Sequence, residues 1–269
     1  MTTQSNTPRF EPLYLLFTFL GGLVLLFIIA PLAGMILHTS FDELTSVAAE
    51  RDVQGSIALT LWTSMVGTLL MAIAAVPFAY LLARKTFPLK RIVSAIVDIP
   101  IVIPHSAAGI AILGVISRGT PVGQASEQMG FHFVGGAAGI IVAMAFVSLP
   151  FLINAARDGF AAVPERLEKA ALSLGASQTR VFFTISVPLA WRSILSGFVL
   201  MWARGLSEFG AVVIVAYHPM VTPVLIYERF GAFGLQAARP IAVLFIAVCL
   251  VFFIVIRLLG REPDNASRG

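Results

Sequence analysis

Charge is what this sequence has least of. Asp, Glu, Lys and Arg make up 12% of the 269 residues, and 58% are hydrophobic. Soluble chains carry roughly 25% charged residues, so this composition excludes a water-soluble fold. There is a single cysteine, Cys249, within the last apolar run. One cysteine rules out an intrachain disulfide and leaves packing against lipid or a neighbouring helix as its role. No GxxxxGK[ST] occurs, so no phosphate-cradling loop for a nucleotide is present. No HExxH occurs, and His38, His105, His132 and His218 lie scattered without metal-ligand spacing. No Ser-His-Asp or Cys-His set can be assembled, so the chain is not expected to be an enzyme. Alternating strands of about ten residues, the mark of a membrane barrel, are also missing. The net charge of +4 is spread over the ends of apolar runs rather than gathered in one patch, which argues against nucleic acid as a partner.

What is present is apolar sequence in long runs. Crossing the hydrocarbon core takes about 20 residues. On that scale the chain reads as an all-α membrane protein with six transmembrane helices, at 13–37, 57–83, 92–116, 136–156, 191–217 and 239–260. Residues 1–12 and 261–269 read as polar tails on a single transmembrane domain, 13–260. With the N-terminus inside, thirteen Lys and Arg fall on the cytoplasmic side and four outside: Arg51, Arg118, Arg229 and Arg239. Arg204 lies within a span. The positive-inside rule then predicts both termini in the cytoplasm. It places the loop 157–190 there as well.

Within that loop, PERLEKAALSLGASQTRVFFTISVP (164–188) is the longest polar-bearing stretch in the middle of the chain. Pro164 suits a helix start. Leu167, Ala170, Ala171 and Leu174 recur at i, i+3, i+4 and i+7, which makes an apolar stripe. Glu165, Arg166, Glu168, Lys169 and Ser173 cover the remainder. Gly175 fits the left-handed position after the helix, and Ser177 can cap the next turn. A second helical piece carries Phe182, Phe183 and Ile185. Such a helix either docks into a partner or rests on lipid headgroups.

Two intramembrane features stand apart. Asp98-Ile-Pro-Ile-Val-Ile-Pro-His105 puts Pro100 and Pro104 into the third span. Missing backbone donors would bend or interrupt that helix, and irregular backbone at membrane depth is tolerated only inside protein or beside a wet cavity. In the fifth span Arg204 and Glu208 are four apart and share a helical face. A charge at that depth costs on the order of 3 kcal/mol, so the pair is expected to point into the bundle or a cavity. It would line a pathway or form a buried structural ion pair.

Glu168-x-Ala170-Ala171-x-x-x-Gly175 followed by Ile185-x-x-Pro188 resembles the EAA loop of ABC importer permeases. One departure is visible: the glutamate of that pattern directly precedes the two alanines, whereas here Lys169 intervenes. DIPIVIPHSAAGIAIL (98–113), WARGLSEFGAVVIVAY (202–217) and TPVLIYERF (222–230) extend the resemblance to oxyanion-importer permeases, the molybdate/tungstate type first and sulfate next. The resemblance implies the type I, MetI-like permease fold and a homodimer in the cytoplasmic (inner) membrane. It implies separate ATPase subunits that bind ATP and Mg, so that this chain holds no cofactor of its own. It also implies an extracytoplasmic oxyanion-binding protein. Glu168, Lys169, Ala170, Ala171, Gly175, Ala176, Phe182, Ile185 and Pro188 would couple the chain to the ATPase. Asp98, Pro100, Pro104, His105, Arg204 and Glu208 would line the pathway. Sulfate or phosphate import and, in a different class, a stand-alone secondary transporter are the alternative readings.

Overall fold

The structure, a computed structural model, describes residues 12–259, and both expected tails lie outside them apart from Pro12. Every regular element among the described residues is helical. In chain order they are α1 (Pro12–Leu37), α2 (Phe41–Ala49), α3 (Arg51–Arg84), α4 (Lys90–Val102), α5 (His105–Ile116), α6 (Pro121–Gln128), α7 (Ala137–Ala162), α8 (Glu165–Ser173), α9 (Gln178–Val181), a π turn (Phe182–Ser186), α10 (Val187–Leu206), α11 (Gly210–Val215), α12 (Thr222–Phe233) and α13 (Leu235–Leu259). Five helical stretches are long and apolar enough to span a membrane. They are α1, α3, α7, the stretch Gln178–Leu206 and α13.

The sixth expected span is α4 and α5 together, interrupted at Pro104 as expected. The two helices meet at 113° across Ile103 and Pro104. Ile103, which precedes a proline, takes an extended backbone (φ −73°, ψ 146°). A residue before proline is pushed out of the helical region by the ring, and Pro104 then starts the next helix as its N-cap. The fifth span also departs from the expected 191–217. Its helix begins at Gln178, passes through the π turn and stops at Leu206. Residues 207–209 are not helical, and α11 is a separate short piece.

α3, α7 and α10 pack on one another as the centre of the bundle. Their shared apolar cluster includes Ala75, Ala79 and Leu82 from α3, Leu152, Ala156 and Phe160 from α7, and Ala190, Ile194 and Met201 from α10. Small side chains at these crossings let backbones approach, which is how helices associate where lipid is as apolar as leucine. α5 and α11 lie against each other and α7, burying Ala108, Ile112, Ala211, Val212 and Val215. α1 stays on the outside, with Leu13–Leu32 largely exposed as expected for a lipid-facing span. The acidic segment after it forms α2, closed by a capping box between Ser40 and Glu43.

α3 also carries buried Ser56, Thr60, Thr63, Ser64 and Thr68. Each hydroxyl donates back to a carbonyl one turn earlier in its own helix. Thr60 does more: its hydroxyl accepts the Thr222 amide at 2.8 Å, which anchors the start of α12 on α3. Thr60→Val should therefore orphan a buried amide, at a cost of about 1–3 kcal/mol. Thr60→Ser should retain most of the stability. Thermal unfolding in detergent measures this, and a valine variant melting with the wild type would show that the amide has another partner.

Candidate functional site

Two polar clusters sit in this apolar bundle, one at each end of α10. The first is in the loop 164–188. Helix α8 starts one residue later than expected, with Pro164 as N-cap and Glu165 first. Gly175 has φ +87°, and the amides of Gly175 and Ala176 close back onto Leu172 and Ala171. That is the left-handed helix end the glycine predicts. Ser177 caps the next turn by accepting the Arg180 amide. Pro188 lies in the first turn of α10.

The orientation of α8 differs from a helix resting its apolar stripe on the protein. Leu167 and Leu174 are exposed, Leu174 to 89%. Ala170 is exposed and Ala171 half-buried. The one buried residue of α8 is Glu168, placed by sequence on the polar face. Its carboxylate is gripped by the Arg84 guanidinium, with Nε donating at 3.0 and 3.1 Å and Nη2 at 2.8 Å. Ser186 Oγ donates to it at 2.8 Å and Tyr80 Oη at 3.2 Å. Arg84 Nη2 also donates to the Val163 carbonyl at 2.8 Å. Lys169, the residue that interrupts the family pattern, turns outward and pairs with Glu165 at 2.8 Å. Phe182 lies inside an aromatic cluster with Tyr80, Phe160 and Phe183. Ile185 and Ala176 are half-buried.

Burial by itself would raise the Glu168 pKa. The hydrogen bonds from Arg84 and Ser186, the Arg84 charge and the Tyr80 hydroxyl outweigh it and hold the carboxyl below its usual 4.5. The sign for stability follows from linkage. A lowered folded pKa contributes stability that is fully present above the ordinary carboxylate range and lost as pH falls through the lowered value.

The second cluster joins the two helix breaks. Arg204, near the end of α10, reaches Glu208 Oε2 at 3.0 Å. His105, the first residue of α5, comes within 3.2 Å of the same oxygen through Nδ1. Arg204 Nη2 lies 2.8 Å from His105 Nε2 and 2.9 Å from Nδ1. An arginine N–H can only donate, so the imidazole nitrogen it meets accepts. Glu208 is completely buried, and its Oε1 accepts the Ala211 amide at 2.8 Å, capping α11. The expected Arg204–Glu208 pair is thus present, but across a helix end rather than along one helix. Gly210 makes room for it. A Cβ there would fall 2.7 Å from the His105 Cβ.

The remaining sequence-predicted residues lie apart from this cluster. Asp98 accepts from Asn154 Nδ2 at 2.7 Å, which ties α4 to α7. Pro100 is buried and Pro104 exposed at the bend. Sequence reasoning missed Tyr80, Arg84 and Ser186. Tyr80 and Arg84 are four apart at the end of a span and so share a face, a signal that could have found them.

Residues 75–263 match the family described as binding-protein-dependent transport system inner membrane component. The chain belongs to that family. It is similar to the molybdate/tungstate transport system permease protein WtpB of Thermococcus kodakarensis, with 44% identity over 92% of this chain and 96% of that protein. The same permease of Methanocaldococcus jannaschii is 40% identical over 89% and 93%. A probable sulfate transport system permease protein of Chlorokybus atmophyticus is 32% identical over 92% and 87%. Among solved structures, the fold is similar to a bacterial ABC transporter involved in alginate import. That likeness has a TM-score of 0.72 at 18% identity and covers 94% of this chain and 96% of that one. The chain is therefore a multi-pass inner-membrane permease subunit of the ABC importer class and not itself an enzyme.

Two outcomes test these clusters. Arg204→Ala leaves the buried Glu208 without its guanidinium, which should cost about 3–5 kcal/mol in thermal or denaturant unfolding. Wild-type stability would show that His105 alone suffices. For the loop cluster, wild-type stability should drop more steeply than that of Glu168→Gln as pH falls below about 4.5. Parallel acid-unfolding curves would mean that Glu168 carries no linkage.

Proposed function

We propose that this chain is the transmembrane subunit of an ATP-driven importer of molybdate or tungstate. The observation that carries the reading is its likeness, along nearly the whole chain, to molybdate/tungstate permeases. The sulfate permeases match less closely over a similar span. The distribution of Lys and Arg supports a cytoplasmic position for both termini and for the loop 157–190.

In this reading α8 is the docking helix. Its exposed stripe, Leu167, Ala170 and Leu174, is an apolar face at a water-facing end of the bundle. Faces of that kind seat in hydrophobic grooves of a partner. The partner is a separate ATPase subunit that binds ATP and Mg, since this sequence has no phosphate-binding loop. Two copies of the permease enclose the pathway between them. An extracytoplasmic binding protein delivers the oxyanion, and a solved alginate importer with a similar fold was crystallised with its substrate-bound periplasmic protein. Closure of the ATPases moves α8, and the bundle shifts between two arrangements that differ in their contacts with the motor. The breaks α4/α5 and α10/α11, held by His105, Arg204 and Glu208, are where irregular backbone meets charge inside the membrane. In channels and carriers that combination marks a solute path.

The test is reconstitution with the ATPase and binding protein in liposomes. Labelled molybdate and tungstate should accumulate only with ATP, and excess sulfate should compete poorly. Uptake of sulfate in preference would move the substrate to the sulfate group. Uptake by the chain alone without ATP would replace the importer with a secondary transporter. In the same assay Gly175→Asp forces a side chain into the left-handed region, a cost of about 1–2 kcal/mol, at the end of the docking helix. It should abolish uptake while leaving the chain in the membrane, and normal uptake would show that α8 is not the docking element.

A further inference from the structure

The buried ion pair at the loop end has a position in the fold that the docking face alone does not explain. α8 meets the bundle through a single buried side chain, Glu168. That carboxylate touches α3 and the π turn that opens α10, and reaches the end of α7 through Arg84. Arg84 and Tyr80 belong to α3. Arg84 in turn donates to the carbonyl of Val163, the C-cap residue of α7. Ser186 is the last residue of the π turn and leads directly into α10.

The π turn contributes to this geometry. π turns hold an extra residue, are rare, and occur frequently at functional sites. Here the turn ends with Ser186 fully buried and aimed at Glu168 Oε1, and the adjoining Phe182 packs against Tyr80 and Phe160. The side chains of Glu168 and Arg84 are 9% and 8% exposed. Arg84 grips the carboxylate through two nitrogens, a geometry that fixes orientation as well as distance.

We infer that the Glu168–Arg84 pair is the joint through which movement of the docking helix reaches α3, α7 and α10 together. Glu168 is a positioning residue for transport, while Leu167 and Leu174 form the face that meets the motor. This deepens the importer reading and rests on it. It also gives the glutamate, displaced by one place from the family pattern, an internal role. The place directly before the alanines is left to outward-facing Lys169.

The experiment uses the permease assembled with its ATPase in proteoliposomes, as wild type, Glu168→Gln, Arg84→Gln and the double variant. Three quantities are read: ATPase retained per permease, ATP hydrolysis, and oxyanion taken up per ATP hydrolysed. The expected result is ATPase retained at the wild-type ratio, hydrolysis continuing, and uptake per ATP falling about tenfold, in the range of coupling between two sites. The single variants leave one charge buried without its partner, and misfolding could follow. The double variant leaves none, so its melting midpoint should stay near wild type while its uptake per ATP stays low. Wild-type uptake per ATP in the double variant would overturn the inference. So would loss of the ATPase from the complex, which would put Glu168 in the docking face. Uptake per ATP that merely tracks melting midpoint across the set would reduce the pair to a structural role. Failure of the wild type to take up oxyanion with ATP would instead remove the importer reading, and the joint with it.

Discussion

A backbone amide or a charge placed in hydrocarbon must find its partner inside the protein. Most of this chain meets that demand with unbroken helix. Where it does not, at 103–104 and 207–209, the two irregular stretches are brought together. Their loose ends are tied by one carboxylate. Glu208 caps α11 with one oxygen and faces Arg204 and His105 with the other. The break at 103–104 supplies the imidazole of His105; the break at 207–209 supplies the Arg204 guanidinium, the Glu208 carboxylate and the start of α11.

The loop end solves the same problem for a different purpose. There a carboxylate is buried between the loop and the bundle, and the cost of desolvation is offset by a bidentate guanidinium and two hydroxyls. The two clusters lie at opposite ends of α10. Ser186 is at one end and Arg204 lies eighteen residues further on, so roughly 27 Å separates them along the axis at 1.5 Å per residue. Between them α10 packs against α3 and α7. In the importer reading α10 is the helix that connects the docking loop to the helix breaks.

Much of this could be read from the sequence because membrane helices announce themselves by length and composition. α1 falls close to its expected limits, while α7 runs six residues past its expected end and α13 begins four residues early. Gly175 and Ser177 were legible because a left-handed helix end and an N-cap each demand particular residue types. The breaks were legible only in part. Pro100 and Pro104 announced a bend, yet nothing in their identity gives an angle of 113°. The end of α10 was hidden, since hydropathy runs on through Phe209 and Gly210, and only the capping of Ala211 by Glu208 shows that a new helix begins. The inward turn of Glu168 was hidden for the opposite reason. Helical periodicity assigns a charged residue to the wet face, and the decisive partner, Arg84, is 84 residues away in sequence.

Leu174, at the tip of α8, has a consequence of another kind. An apolar helix face held out from the bundle is unfavourable in water until something covers it. A permease made faster than its motor would display that face on every surplus copy, and exposed apolar patches invite aggregation. If α8 docks on the proposed ATPase, the stripe that recognises that partner also penalises its absence.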